Sequence, residues 1–269
     1  MSTSLFRRLA VPGRLAVLVE GESLVNDGTA AVCYTIAVGL IVGTESVTAF
    51  TAIDAVCLIG GGVIVGGVIG LTCAMTMPRS DDAMLALTLT TLSAYGSFVA
   101  VEQVHASGVI ATVTAGLVAG TQGARARLTP STRLAATVFW DYVAFAFNSV
   151  VFLLMGFQVR ASVLLASWKP IVAAYIVVTA VRALVVFGVV AMRPRAERLP
   201  ASWSAVITWG GIRGALSMVL ALSIPAVVPG RDFLVTLTYG VVALSILVQG
   251  LTITPLLKWL GLGSSPHEA

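Results

Sequence analysis

The chain has 269 residues, 58% of them hydrophobic and only 10% charged, with a formal net charge of +4. A mean hydropathy of +0.98 excludes a soluble domain whose polar surface faces water and points to a multi-span membrane protein. Three cysteines, all inside apolar runs, and two histidines leave no basis for a disulfide framework or a zinc site.

Residues 1–14 are short, basic and not followed by a small-residue cleavage site, so the first span is expected to direct its own insertion. Eight apolar runs long enough for a membrane helix then recur, near residues 22–43, 53–76, 83–101, 106–121, 134–158, 168–192, 203–224 and 234–260. The expected architecture is all-α and polytopic, with about eight transmembrane helices over residues 1–262 and a polar cytoplasmic tail at 263–269.

The first run carries Glu22, Asn26 and Asp27 at its head. A carboxylate in a membrane helix costs about 2.5–3.5 kcal/mol on insertion scales, so each acid needs a partner or a water-filled cavity, and a functional role is the first suspicion. Further along, glycines spaced by four (Gly39 and Gly43; Gly62, Gly66 and Gly70; Gly116 and Gly120; Gly210 and Gly214) fit close backbone packing within one helix bundle. His105 falls in an outer loop and reads as a solvated residue; His267 lies in the tail.

The fifth and sixth runs contain Asp141 and Arg182, which read as a structural pair within the bundle. In the seventh, Trp209-Gly210-Gly211-Ile212-Arg213-Gly214-Ala215 sets three glycines around an arginine. That composition predicts a helix that breaks or thins, exposing backbone that only a protein-lined cavity tolerates. Arg213 cannot shed its proton, so its burial demands a counter-charge, for which Glu22 and Asp27 are the candidates. Glu22 and Asn26, four apart, share a helix face, whereas Asp27 lies about 140° from Glu22. One acid is expected to hold Arg213 while the other looks into a cavity.

Loop charges supply an independent check. With the N-terminus inside, eleven Lys and Arg residues fall on the cytoplasmic side and three (Arg160, Lys169, Arg231) outside, so both ends are expected in the cytoplasm. The net positive charge then reflects topology, and the dispersed basic loops give no groove for nucleic acid.

Glu22-Ser23-Leu24-Val25-Asn26-Asp27 and the Trp209 to Ala215 segment resemble the two most characteristic motifs of monovalent cation/proton antiporters of the NhaP and NHE type. Phe139-Trp140-Asp141, Asn148-Ser149 and Arg182 are similar to that family too, in the right order. The resemblance implies a plasma-membrane sodium/proton exchanger with a thirteen-helix fold of two inverted repeats, of which this chain matches the C-terminal part. It places ion and proton binding on Asp27, with Asn26 beside it, and a structural ion pair on Glu22 and Arg213. It implies Na+, or K+ or Li+, and H+ as transported ions, the lipid bilayer as surroundings, and no cofactor.

One carboxylate that takes either a proton or a cation, never both, obliges exchange as the protein rocks between two open states. The chain begins where the family's sixth helix begins, without the earlier repeat and its crossing helix. It is therefore expected to be inactive alone: a fragment or split half whose partner is the missing N-terminal part, or a homodimer. An intramembrane enzyme is disfavoured, since the sequence has no Gly-x-Ser-x-Gly and no His-Glu-x-x-His.

Overall fold

The computed structural model describes residues 12–43, 53–77, 82–104, 106–121, 128–158, 161–194, 199–212 and 214–262. Arg213, His105, His267 and the tail 263–269 lie outside the described residues. Among those described, the regular structure is entirely helical: α1 (Gly13–Val42), α2 (Ile53–Thr76), α3 (Ala83–Glu102), α4 (Gly108–Ala119), α5 (Pro130–Gln158), α6 (Ala161–Ala166), α7 (Trp168–Met192), α8 (Ala201–Trp209), α9 (Ala215–Leu222), α10 (Arg231–Leu244), a π-helical turn (Ser245–Gly250) and α11 (Leu251–Trp259).

All eight apolar runs are helical, but among the described residues six helical stretches are long and apolar enough to cross a membrane. The run at 106–121 shortens to the 12-residue α4, about 18 Å at 1.5 Å per residue and too short for a hydrocarbon core near 30 Å. The run at 203–224 is interrupted: α8 stops at Trp209 and α9 starts at Ala215. The expected break among Gly210, Gly211 and Gly214 is therefore present.

The first helix starts nine residues earlier than its apolar run suggests. Leu15 and Val19 lie fully buried in a core with Val206, Ile207, Ile253 and Leu257. That burial carries the helix back through Arg14 and Glu20. Glu22 and Asp27 consequently sit inside a 30-residue helix rather than at its mouth.

The chain divides into two compact units, residues 26–150 and residues 1–25 with 151–269. In the first, α2 lies against α4 at backbone contact. A Cβ on Gly62 would fall 2.9 Å from the Ser107 carbonyl oxygen, one on Gly70 2.6 Å from that of Ala115, and one on Gly66 would run into the Ala111 carbonyl. Glycine at every fourth position is what lets the helices approach so closely. Gly116, by contrast, has nothing within 4 Å of its Cβ position.

Side-chain hydrogen bonds complete this unit. Asp82 caps α3 by accepting from the Leu85 amide at 3.0 Å. The Thr112 hydroxyl donates to the Ala94 carbonyl at 3.2 Å, Ser97 reaches Thr112 at 3.4 Å, and the Trp140 indole N–H donates to Thr90 Oγ1 at 3.2 Å.

In the second unit, Arg231 closes the end of α9, its Nε donating to the Ile224 carbonyl at 2.7 Å and its Nη2 to that of Leu222 at 3.1 Å. Those carbonyls have no partner further along their own helix, so a guanidinium fork is a natural cap. A small core of Met218, Tyr239 and Val242 joins α9 to α10. Trp209 Nε1 donates to Thr252 Oγ1 at 2.7 Å, and Thr252 in turn donates to the Val248 carbonyl in the π turn.

Candidate functional site

Arg182 projects from the middle of α7, an apolar 25-residue helix, and is 11% exposed. A buried guanidinium must have its charge matched and its donors used. Its Nη2 meets Glu22 Oε2 at 2.6 Å, and both Nε (3.3 Å) and Nη2 (3.0 Å) donate to the carbonyl of Ile207. Ile207 belongs to the last turn of α8, where carbonyls run out of helical partners and the helix dipole is negative. The helix break thus has a direct chemical consequence: it supplies the second acceptor that holds Arg182.

Gly211 explains how the guanidinium fits. A Cβ at that position would overlap its Cζ and Nε and lie 2.7 Å from its Nη1. The side chain of Arg182 therefore lies flat along the broken backbone, in space that only glycine leaves open. Beside it is a cavity of about 10 Å³ walled by Tyr175, Thr179, Arg182, Gly211, Ser245 and Gln249 among others.

The pairing differs from the one expected. The expected partner of Glu22, Arg213, lies outside the described residues, while Arg182, expected to meet Asp141, is held by Glu22. Spacing along one helix fixes which residues share its face but says nothing about which of two distant arginines arrives there. Asp141 is exposed on α5. Asn148 Nδ2 donates to the Ala144 carbonyl and Ser149 Oγ to that of Phe145, both at 2.8 Å, so these two polar groups are satisfied within their own helix.

Asp27 is exposed on α1, with Asn26 half-buried before it and Gly28 buried after it. Gly28 faces Ile110 of α4, its Cβ position 3.6 Å from Ile110 Cγ1, and Thr29 Oγ1 donates to the Asn26 carbonyl at 3.0 Å. The small residue thus sets the helix against α4. Among the described residues no three His, Cys, Asp or Glu side chains gather where they could hold a metal ion.

Three contributors were missed from sequence: the Ile207 carbonyl, Tyr175, and the Ser245–Gln249 pair of the π turn. A backbone carbonyl carries no sequence signal. Ser245 and Gln249 did carry one, as two polar residues four apart inside an apolar run.

The transmembrane family of sodium/hydrogen exchangers matches residues 1–259. The chain is 41% identical to the Na(+)/H(+) antiporter ApNhaP of Aphanothece halophytica over 96% of its own length and 50% of that protein. It is 37% identical to the low-affinity Na(+)/H(+) antiporter NhaS1 of Synechocystis sp., over 98% of the chain and 52% of that protein. With the Na(+)/H(+) antiporter NhaG of Bacillus atrophaeus it shares 36% identity, over 96% and 49%. The chain thus spans about half the length of these curated relatives.

Proposed function

The chain belongs to the sodium/hydrogen exchanger transmembrane family, and on that footing we propose that it takes part in exchanging Na+ for H+ across a membrane, with Asp27 as the carboxylate the two ions share. The observation that carries the assignment to Asp27 is its place. It is an exposed acid near the midpoint of α1, a helix otherwise long and apolar enough to span a bilayer. Such a charge is costly in hydrocarbon, and the default reading of an intramembrane carboxylate is a place on an ion path. Glu22, five residues earlier, is matched by Arg182 and serves in this reading as a structural charge. Asn26 stands next to Asp27 as a neutral oxygen ligand.

Exchange follows from competition. A carboxylate holding a proton has no charge for a cation, and one holding a cation is neutralised and no longer attracts a proton. If the protein passes between inward- and outward-open states only with one of the two bound, each cation moved one way is matched by a proton moved the other. The excess of Lys and Arg in alternate loops supports a plasma-membrane orientation with both ends of the chain in the cytoplasm. We assign the activity to an assembly, formed with a second copy of the chain or with a segment corresponding to the half of its relatives that it does not match.

Proteoliposomes test this reading. With the chain reconstituted alone in one preparation and with the unmatched half of the Aphanothece halophytica antiporter in another, the preparation that forms the assembly should move protons when a sodium gradient is imposed. Asp27→Asn should abolish that flux in whichever preparation shows it, with the amount of folded protein unchanged. Sodium-driven proton flux at the parent rate in Asp27→Asn would remove Asp27 from the mechanism.

A further inference from the structure

The π turn of residues 245–250 has no part in the exchange scheme above. A π turn is a poorer helix than the α-helix on either side, and such turns concentrate where a side chain has to be delivered to a particular place. This one delivers Ser245 and Gln249 to the interior, 1% and 3% exposed. Ser245 Oγ donates to Gln249 Oε1 at 2.7 Å, which leaves the carboxamide's own two N–H donors to be used elsewhere. Both residues line the cavity beside Arg182, together with Tyr175, Thr179 and Gly211. The Tyr175 hydroxyl is buried and makes no hydrogen bond of normal geometry among the described residues, although the Thr179 side chain, in the same wall, comes near it.

We propose that this cavity is a built site for one water molecule, held by Tyr175 and Gln249, and that through this water Gln249 positions Arg182. Its volume of about 10 Å³ is close to the minimum for a single water, which needs two to four polar partners. Four of the walls supply them. The chemistry rejects the alternatives: the oxygens and the amide are neutral while the guanidinium is cationic, so an alkali ion is repelled, and a larger anion does not fit.

The consequence for Arg182 is geometric. Its Nε and Nη2 are engaged by Ile207 and Glu22, whereas its Nη1 lies close against Gly211, and Arg182 and Gly211 both line the cavity. A water accepting there fixes the guanidinium plane from its third corner and keeps Nη2 turned towards Glu22. The site itself stands on burial and cavity chemistry; its effect on transport rests on the exchange reading given above.

Hydroxyl-radical labelling by X-ray pulses, with the protein in lipid nanodiscs, reads such a water directly, because radicals form from water already in place. Tyr175 should be labelled despite its buried hydroxyl, whereas Tyr239, also buried but outside the cavity, should not. Gln249→Leu should abolish the Tyr175 label, and Ser245→Ala, which removes a single hydroxyl and little volume, should diminish it. Tyr175 labelled no more than Tyr239 would overturn the water site. Labelling indifferent to both substitutions would overturn the role of Gln249.

For the positioning role, Gln249→Leu should raise the sodium concentration for half-maximal exchange roughly fivefold, the worth of about one hydrogen bond, and shift the pH profile. A merely structural Gln249 would lower the yield of folded protein and leave both unmoved. Since labelling needs no transport, absence of exchange in the parent protein would count against the proposed function and not against the water.

Discussion

The unit of residues 26–150 and the unit built from residues 151–262 with the start of α1 answer the cost of polar groups in hydrocarbon in opposite ways. The first uses continuous helices, glycines at Gly62, Gly66 and Gly70, and hydroxyls that bond neighbouring carbonyls. The second interrupts two of its helices, at residues 210–214 and at the π turn, and ties carbonyls freed at helix ends to arginines: Ile207, before the break, to Arg182, and Leu222 and Ile224, at the end of α9, to Arg231. Glycine serves both, but differently. In α2 it admits another backbone, and at Gly211 it admits a guanidinium. A helix packed on glycine has one good arrangement, while a broken helix tied by side chains can exchange partners, which is the property a moving transporter needs.

Removing a charge from the second unit should have the largest effect. Arg182→Gln leaves Glu22 uncompensated and the Ile207 carbonyl short of a donor, so it should cost about 3 kcal/mol, the lower end for breaking a buried pair because Glu22 is 35% exposed. Thermal unfolding in detergent should show Glu22→Gln with Arg182→Gln less harmful than the sum of the two, and Asp141→Asn nearly neutral. An Asp141→Asn penalty matching that of Glu22→Gln would restore Asp141 as the partner of Arg182.

Within the first unit the effect should be steric. Gly66→Ala forces α2 and α4 apart, at about 1–3 kcal/mol, the usual range for overpacking. Gly67→Ala, one residue away with nothing within 4 Å, should be neutral or slightly stabilising. Equal melting temperatures for the two variants would mean the helices are not in backbone contact. Smallest of all should be Ser97→Ala: an interhelical hydroxyl bond in a membrane protein is worth about 0.6 kcal/mol, so the melting curve should move barely beyond error.

The apolar runs were legible because a spanning helix needs length and little else, and the break at 210–214 was legible because three glycines around an arginine fit no continuous membrane helix. The start of α1 was not. Arg14 and Glu20 look like loop residues until Leu15 and Val19 are seen fully buried. Glu22 was readable as half of an ion pair, since an intramembrane acid demands a partner, but its contact with Arg182 was not, because which side chains meet across helices is decided by tertiary packing. The π turn was hidden for another reason: Ser245 and Gln249 lie four apart, as on any α-helix, and nothing in that spacing announces an extra residue in the turn.

Asp27 remains the residue on which the functional account turns, and proton release on sodium binding tests it without any flux. Calorimetric titration of the exchange-competent preparation with NaCl, repeated in two buffers of different ionisation heat, counts the protons displaced per sodium bound. A shared carboxylate predicts sodium binding with proton release in the parent protein and neither in Asp27→Asn. Undiminished proton release in Asp27→Asn would contradict it and move the exchange site elsewhere in the protein.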